Sequence, residues 1–169
     1  LTQTLPVVVN GHLLDEGASE TLTVNLSAPT NATIADGTAT VTITDDDDAP
    51  SLTINDVTIT EGNAGQVNAI FTVTQSAASA QTVSVDYATA DGTATVADSD
   101  YDAVSGTLTF LPGGPLTQQI LVPVNGDGVD EGTAESFTVE LSNVVNATIA
   151  DATGTGTIID DDGTPTLFM

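Results

Sequence analysis

The chain has 169 residues; 24 are Asp or Glu, none is Lys or Arg and one is His, for a formal net charge of −24. A surface of this sign repels phosphate backbones and anionic lipid heads, which argues against nucleic acid and membrane-surface partners and in favour of metal cations. Cysteine is absent, so no disulfide supports the fold, and no apolar run reaches the roughly 18 residues that would suggest direct membrane insertion in this window.

At an offset of 115 residues, Leu1 falls on Leu116 and Ile54 on Met169 without a gap, and 30 of the 54 pairs are identical. This is a tandem repeat with a unit of sandwich-domain size, far longer than the roughly 20 to 50 residues of a solenoid repeat. Residues 1–48 match only the C-terminal part of a unit, residues 49–163 form a complete one, and "TPTLFM" (164–169) matches "APSLTI" (49–54) as the first strand of the next. The segment 1–48 is expected to supply about three strands, matching Ile120–Val124, Phe137–Leu141 and Thr155–Ile159. Exposed strand edges invite pairing, so the expectation is either that the segment is part of a longer chain of repeats or that a neighbouring subunit of the same protein donates the missing strands by strand exchange, with "TPTLFM" as the candidate tail.

In the complete unit the apolar residues alternate: Val67, Ala69, Phe71 and Val73, then Val83, Val85 and Tyr87, then Ile120, Val122 and Val124, then Phe137, Val139 and Leu141. Period two means strands with one face buried. Clusters such as "TEGNAG" (60–65) and "LPGGP" (111–115) break the runs at turn-like intervals, and no segment carries a helical stripe. The pattern predicts an all-β antiparallel β-sandwich of about seven strands. The rings of Phe71, Tyr87, Tyr101, Phe110 and Phe137 lie on this pattern as core filler.

Four acidic clusters fall between the predicted strands: Glu61; then Asp98, Asp100 and Asp102; then Asp127, Asp130, Glu131 and Glu135; and finally Asp160, Asp161 and Asp162. They follow alternate strands, and in an antiparallel sandwich alternate loops return to one end. Two like charges 4 Å apart cost about 4 kcal/mol at an effective dielectric near 20, a repulsion that a bound cation relieves. An all-oxygen donor set without Cys or His suits Ca²⁺, which takes roughly 6 to 8 oxygens and tolerates irregular loops, whereas Zn²⁺ favours nitrogen and sulfur. The competing reading is that acidic loops only keep a sandwich soluble. Asp91, in "DGTA", reads as a turn former and not as a ligand.

The order of "YATADGTA", "SDY", "DEG" and a terminal "DDD" resembles the Calx-beta domain, over the whole complete unit and, for its C-terminal part, over Leu5–Asp47. That resemblance implies an immunoglobulin-like sandwich with Ca²⁺ bound at one end. By position, it implies ligands at Glu61, Asp100, Asp127, Glu131, Glu135, Asp160, Asp161 and Asp162, with a backbone carbonyl at Val129. In the partial unit the matching acids are Glu16, Glu20, Asp45, Asp46 and Asp47. There His12 replaces Asp127, and neutral nitrogen is a poor donor for Ca²⁺, so this half-site is expected to be weak.

Catalysis has little to stand on: the single imidazole lies outside the complete unit, and the paired carboxylates have no recognisable cleft. The expected function is a calcium-binding structural or adhesive repeat of a large extracellular or cell-surface protein, bacterial in origin, stiffened by Ca²⁺ at the junctions between repeats. The alternatives are a calcium-sensing regulatory domain and a filament subunit assembled by strand donation. Near-identical repeats and the lack of Lys and Arg favour the first.

Overall fold

The computed structural model describes residues 2–17, 19–132 and 134–168, and every regular element among them is a strand. The partial unit provides β1 (Ser19–Asn25) and β2 (Thr38–Thr44), an antiparallel hairpin that forms a sheet of its own. The complete unit provides β3 (Ser51–Ile54), β4 (Val57–Thr60), β5 (Gly65–Gln75), β6 (Val83–Asp91), β7 (Ser105–Phe110), β8 (Thr117–Gly126), β9 (Glu135–Val145), β10 (Thr148–Ile149) and β11 (Thr153–Ile159). They form two facing sheets, ordered β10-β3-β5-β8 and β4-β11-β9-β6-β7. This is the expected all-β sandwich, with seven main strands once β3 and β4 are taken as one interrupted strand and the two-residue β10 is set aside.

The interruption falls at Asn55 and Asp56. Asn55 Oδ1 accepts the amide of Thr72 in β5 at 2.5 Å, and Asp56 Oδ1 accepts the amide of Thr155 in β11 at 2.7 Å. Each side chain ties its own end of the crossover to a different sheet. The first strand thus pairs antiparallel with β5 through β3 and parallel with β11 through β4.

Alternation delivers the core. Phe71, Val73, Val85, Val122, Val124, Phe137 and Val139 are all fully buried between the sheets. Each such side chain contributes about 1.5–3 kcal/mol of transfer free energy. At the centre Phe137 stacks on Tyr101 with ring centroids 4.5 Å apart and meets Phe71 edge-on at 5.9 Å. β11 runs directly beneath this cluster, and a Cβ at Gly156 would collide with the Phe137 ring, so the strand passes there only without a side chain.

Two segments differ from the strand pattern. The expected third strand of the partial unit is absent: residues 2–14 form no strand. In the complete unit the matching β8 exists by pairing with β5 over ten residues, Gly65–Thr74 against Thr117–Gly126, and no strand equivalent to β5 stands beside residues 5–9 in this chain. Leu5, Val7, Val8 and Val9 are accordingly exposed. Residues 164–168 lie outside both sheets, with Leu167 and Phe168 exposed.

Candidate metal centre

Four loops meet at one end of the complete unit, namely β4–β5, β6–β7, β8–β9 and the chain after β11. Their approach is close. A Cβ at Gly126, the last residue of β8, would overlap the Gly62 carbonyl oxygen and lie 2.7 Å from that of Glu61, so glycine at this position lets the β4–β5 loop close over the β8–β9 loop.

Carboxylate oxygens gather in two triads, each with its members within 4.8 Å of one another: Glu61, Asp160 and Asp162, and Asp100, Glu131 and Glu135. Each triad has a buried member, Glu61 at 3 % and Asp100 at 5 % exposure. Glu61 is placed where β4 ends, its amide donating to the Ile159 carbonyl at 3.3 Å. Asp100 Oδ2 accepts the Thr95 amide at 2.7 Å, and its carbonyl accepts the Asn125 amide at 2.9 Å, which pins the β6–β7 loop to β8.

Asp160 organises the others. Its Oδ2 accepts the amides of Glu131 at 2.8 Å and Gly132 at 3.0 Å, and its Oδ1 accepts the amide of Asp162 at 2.8 Å. These backbone donors hold its carboxyl below the usual range, so it stays ionised. Glu61 is driven the other way. Burial, reinforced by the charges of Glu131, Asp160, Asp127 and Asp162, pushes it up to about 7. Burial also lifts Glu135 to about 7, together with the charge of Asp100 and a hydrogen bond to it, and raises Glu131. Glu61 Oε1 and Asp162 Oδ2 are buried without a hydrogen-bond partner among the described residues. Such orphans are uncommon in folded proteins and are costly unless something satisfies them.

The remaining predicted ligands lie around the triads. Asp127 is exposed and accepts the Val129 amide at 2.7 Å; it bears on Glu61 and Glu131 through its charge without joining either triad. Asp161 is exposed and accepts the Gly62 amide at 3.1 Å. Val129 is 60 % exposed. Asp91 ends β6 and accepts the Tyr101 hydroxyl at 2.6 Å and the Val96 amide at 3.2 Å, a local structural role consistent with a turn former.

In the partial unit Asp45 repeats the part of Asp160, accepting the amides of Glu16 at 2.7 Å, Gly17 at 3.0 Å and Asp47 at 3.1 Å. Glu16 also meets His12 Nε2 at 2.9 Å, while Glu20 and Asp46 are exposed. Glu16, Glu20, Asp45, Asp46 and Asp47 form no triad among the described residues. The physical reason is that no loops equivalent to those carrying Glu61 and Asp100 stand beside them in this chain.

Neutral residues that gave no sequence signal position the loops. Gln66 Nε2 donates to Asp102 and to Asn125, each at 2.8 Å, and Asn125 Nδ2 donates to the Ser99 carbonyl at 2.8 Å. Asn63 donates to Asp162. The ensemble can hold a hard cation, since its donors are oxygens alone and two of them lack any partner.

The sequence pattern of the Calx-beta domain matches residues 2–47 and 45–162. The chain belongs to the Calx-beta domain family. Its structure is similar to that of CBD12 from CALX1.2, with TM-score 0.58 and 29 % identity, covering 66 % of this chain and 46 % of that one. The calcium binding domain CBD12 of CALX1.1 gives TM-score 0.57 and 30 % identity over the same shares. The apo-form Calx CBD1 domain gives TM-score 0.57 and 28 % identity, covering 68 % of this chain and all of that one. The chain thus spans less than half the length of the CBD12 structures. No curated protein matches it.

Proposed function

We propose that this Calx-beta chain binds Ca²⁺ at the loop end of its complete unit. Glu61, Asp160 and Asp162 on one side and Asp100, Glu131 and Glu135 on the other would supply the oxygens, with Asp127, Asp161 and the Val129 carbonyl at the rim. The observation that carries this reading is the pair of buried, unpartnered oxygens, Glu61 Oε1 and Asp162 Oδ2, within an acidic set that no Lys or Arg of this sequence offsets. The ion would supply positive charge where the loops converge. The chain's own part is to hold the donors in place through Asp160, Gly126 and the Asn125–Gln66 network.

The wider role we infer is that of a structural or adhesive repeat in a tandem array of an extracellular or cell-surface protein, with units divided near residues 48 and 163 and Ca²⁺ stiffening each joint. Support comes from the repetition, with 30 of 54 aligned pairs identical, and from the junction, where Asp45–Asp48 are followed after one Ala by Pro50, too short a link to act as a flexible tether. Neighbouring repeats are the proposed partners. Calorimetric titration of the full chain with Ca²⁺, Mg²⁺ and NaCl tests the site. Ca²⁺ binding with a dissociation constant of about 0.1–1 mM is expected of an extracellular module, whereas micromolar binding or tighter would favour a sensor. Heats no larger than those of NaCl would remove the proposal.

A further inference from the structure

The hairpin unit does not hang free of the complete one. Asp15, in its "DEG" turn, is 7 % exposed, and it is covered by the β5–β6 loop of the complete unit, where Ser79 is 4 % exposed. The Asp15 carbonyl accepts two hydrogen bonds at 3.0 Å, from the Ser79 hydroxyl and from the Ala80 amide, and the two segments form an isolated parallel bridge. Gln81 Nε2 lies 3.3 Å from both carboxylate oxygens of Asp15, and the Gln81 amide donates to Ser79 Oγ at 3.0 Å. Gly17, at φ +98°, closes the contact: a Cβ there would stand 3.3 Å from the Gln81 amide group.

This contact solves an electrostatic problem that the sequence creates. Two units of one charge sign must abut, and no Lys or Arg is available to pair with the acid that faces the neighbour. Hydroxyl and amide donors satisfy a carboxylate without a counter-charge, and a buried carboxylate needs such partners. The "DEG" turn is shaped alike in both units, since Asp45 accepts the amides of Glu16 and Gly17 as Asp160 accepts those of Glu131 and Gly132. Asp130, the counterpart of Asp15, is only half-buried.

We propose that the Asp15–Gly17 turn and the Ser79–Gln81 loop are the two halves of a latch that fixes one repeat on the next, and that Asp130–Gly132 is the same latch arm for a further copy of the Ser79–Gln81 loop. The partner is thus a second repeat whose β5–β6 loop carries a hydroxyl and an amide side chain at these two positions. The latch stands whether or not the acidic end binds calcium, so its test is run in chelator. The chain has no cysteine, so Thr42→Cys and Ser105→Cys give two unique sites for nitroxide labels, one on each unit.

Pulsed electron resonance on the full chain should give one narrow distance distribution. Gln81→Glu, which sets a second carboxylate against Asp15, should at least double its width and speed exchange of the Ala80 amide about tenfold or more. Gln81→Lys should keep the distribution as narrow as before. Neither substitution touches the core, so both variants should fold. A distribution already broad in the parent chain, or one unchanged in Gln81→Glu, would overturn the latch. In a chain extended by a second Ala49–Gly163 unit, Asp130→Ala should broaden the new junction and leave the first narrow; an unbroadened new junction would overturn the assignment to Asp130.

Discussion

The raised carboxyls at the loop end should make stability respond to pH in opposite directions with and without calcium. Glu61 is lifted from the usual 4.5 to about 7, and Glu135 likewise, mainly by burial. A folded state that holds its protons more tightly than the unfolded chain is favoured at low pH, and loses that advantage as pH rises through the folded value. The calcium-free protein should therefore become less stable between about pH 4.5 and 7. For Glu61, which is 3 % exposed, the rise corresponds to about 3 kcal/mol as an upper figure. Glu135 and Glu131 are half-exposed and add less, since water screens them. The carboxyls held low, Asp45, Asp86 and Asp160, lose their contribution only on acidification below about 3.8, outside this window.

With calcium the slope should reverse, because a bound ion would need the ionised form and protons compete for the same oxygens. An ion present at 100 times its dissociation constant stabilises by about 2.7 kcal/mol, or roughly 8–15 °C in melting temperature for a domain of this size. Thermal melts of the full chain from pH 5 to 8, in Ca²⁺, in chelator, and in chelator with NaCl at matched ionic strength, read both slopes. Glu61→Gln should flatten the chelator curve, raise the chelator melting point at pH 8, and abolish most of the calcium effect. The reasoning fails if calcium-free stability is flat or rising from pH 5 to 7, or if NaCl matches calcium.

Further outcomes follow from individual contacts. Glu131→Gln should remove most of the calcium-induced rise in melting temperature, whereas Asp91→Asn, which weakens the bond from the Tyr101 hydroxyl, should lower stability by about 1 kcal/mol equally in Ca²⁺ and chelator. Gly126→Ala should weaken calcium binding at least tenfold by titration calorimetry, because the new methyl overlaps the Gly62 carbonyl and drives the two loops apart. Phe137→Ala removes the ring stacked on Tyr101 and should cost about 3–5 kcal/mol in a denaturant melt, with or without calcium.

The strands were legible because burial on one face writes itself as period two: Val67–Val73 reads out β5 and Phe137–Leu141 reads out β9. What one local run cannot carry is its partner. Val7–Val9 has the apolar content of β8 but no strand to pair with here, and the switch of sheets at Asn55 and Asp56 depends on amides of Thr72 and Thr155, far away in sequence. The candidate site divides in the same way. Its acids were visible as clusters in alternate loops, since charge is a strong local signal. Their sorting into two triads, with Asp127 and Asp161 outside, depends on loop closure at Gly126 and on backbone amides that no residue type announces. Gln66, Asn63 and Asn125 were silent because neutral amides are ordinary in an Asn- and Thr-rich surface.

Asp45 and Asp160 link the acidic end of each unit to its docking turn. Each closes the "DEG" turn by accepting two of its amides, and each begins the acidic run that leads out of its unit. In the first unit the same turn carries Asp15 into the Ser79–Gln81 loop, so one aspartate shapes both the arm that docks on the neighbour and the acidic end beside it. In the complete unit the counterpart arm, Asp130–Gly132, lies among the triad carboxylates, and their repulsion bears on its placement. Anything that quiets the repulsion, a proton on Glu61 at low pH or a cation at the triads, leaves the Asp130–Gly132 turn in the shape that Asp160 imposes. Strong ionisation without a cation strains it. The joint that follows the complete unit is therefore expected to be the most charge-sensitive part of the chain, ahead of the hydrophobic core.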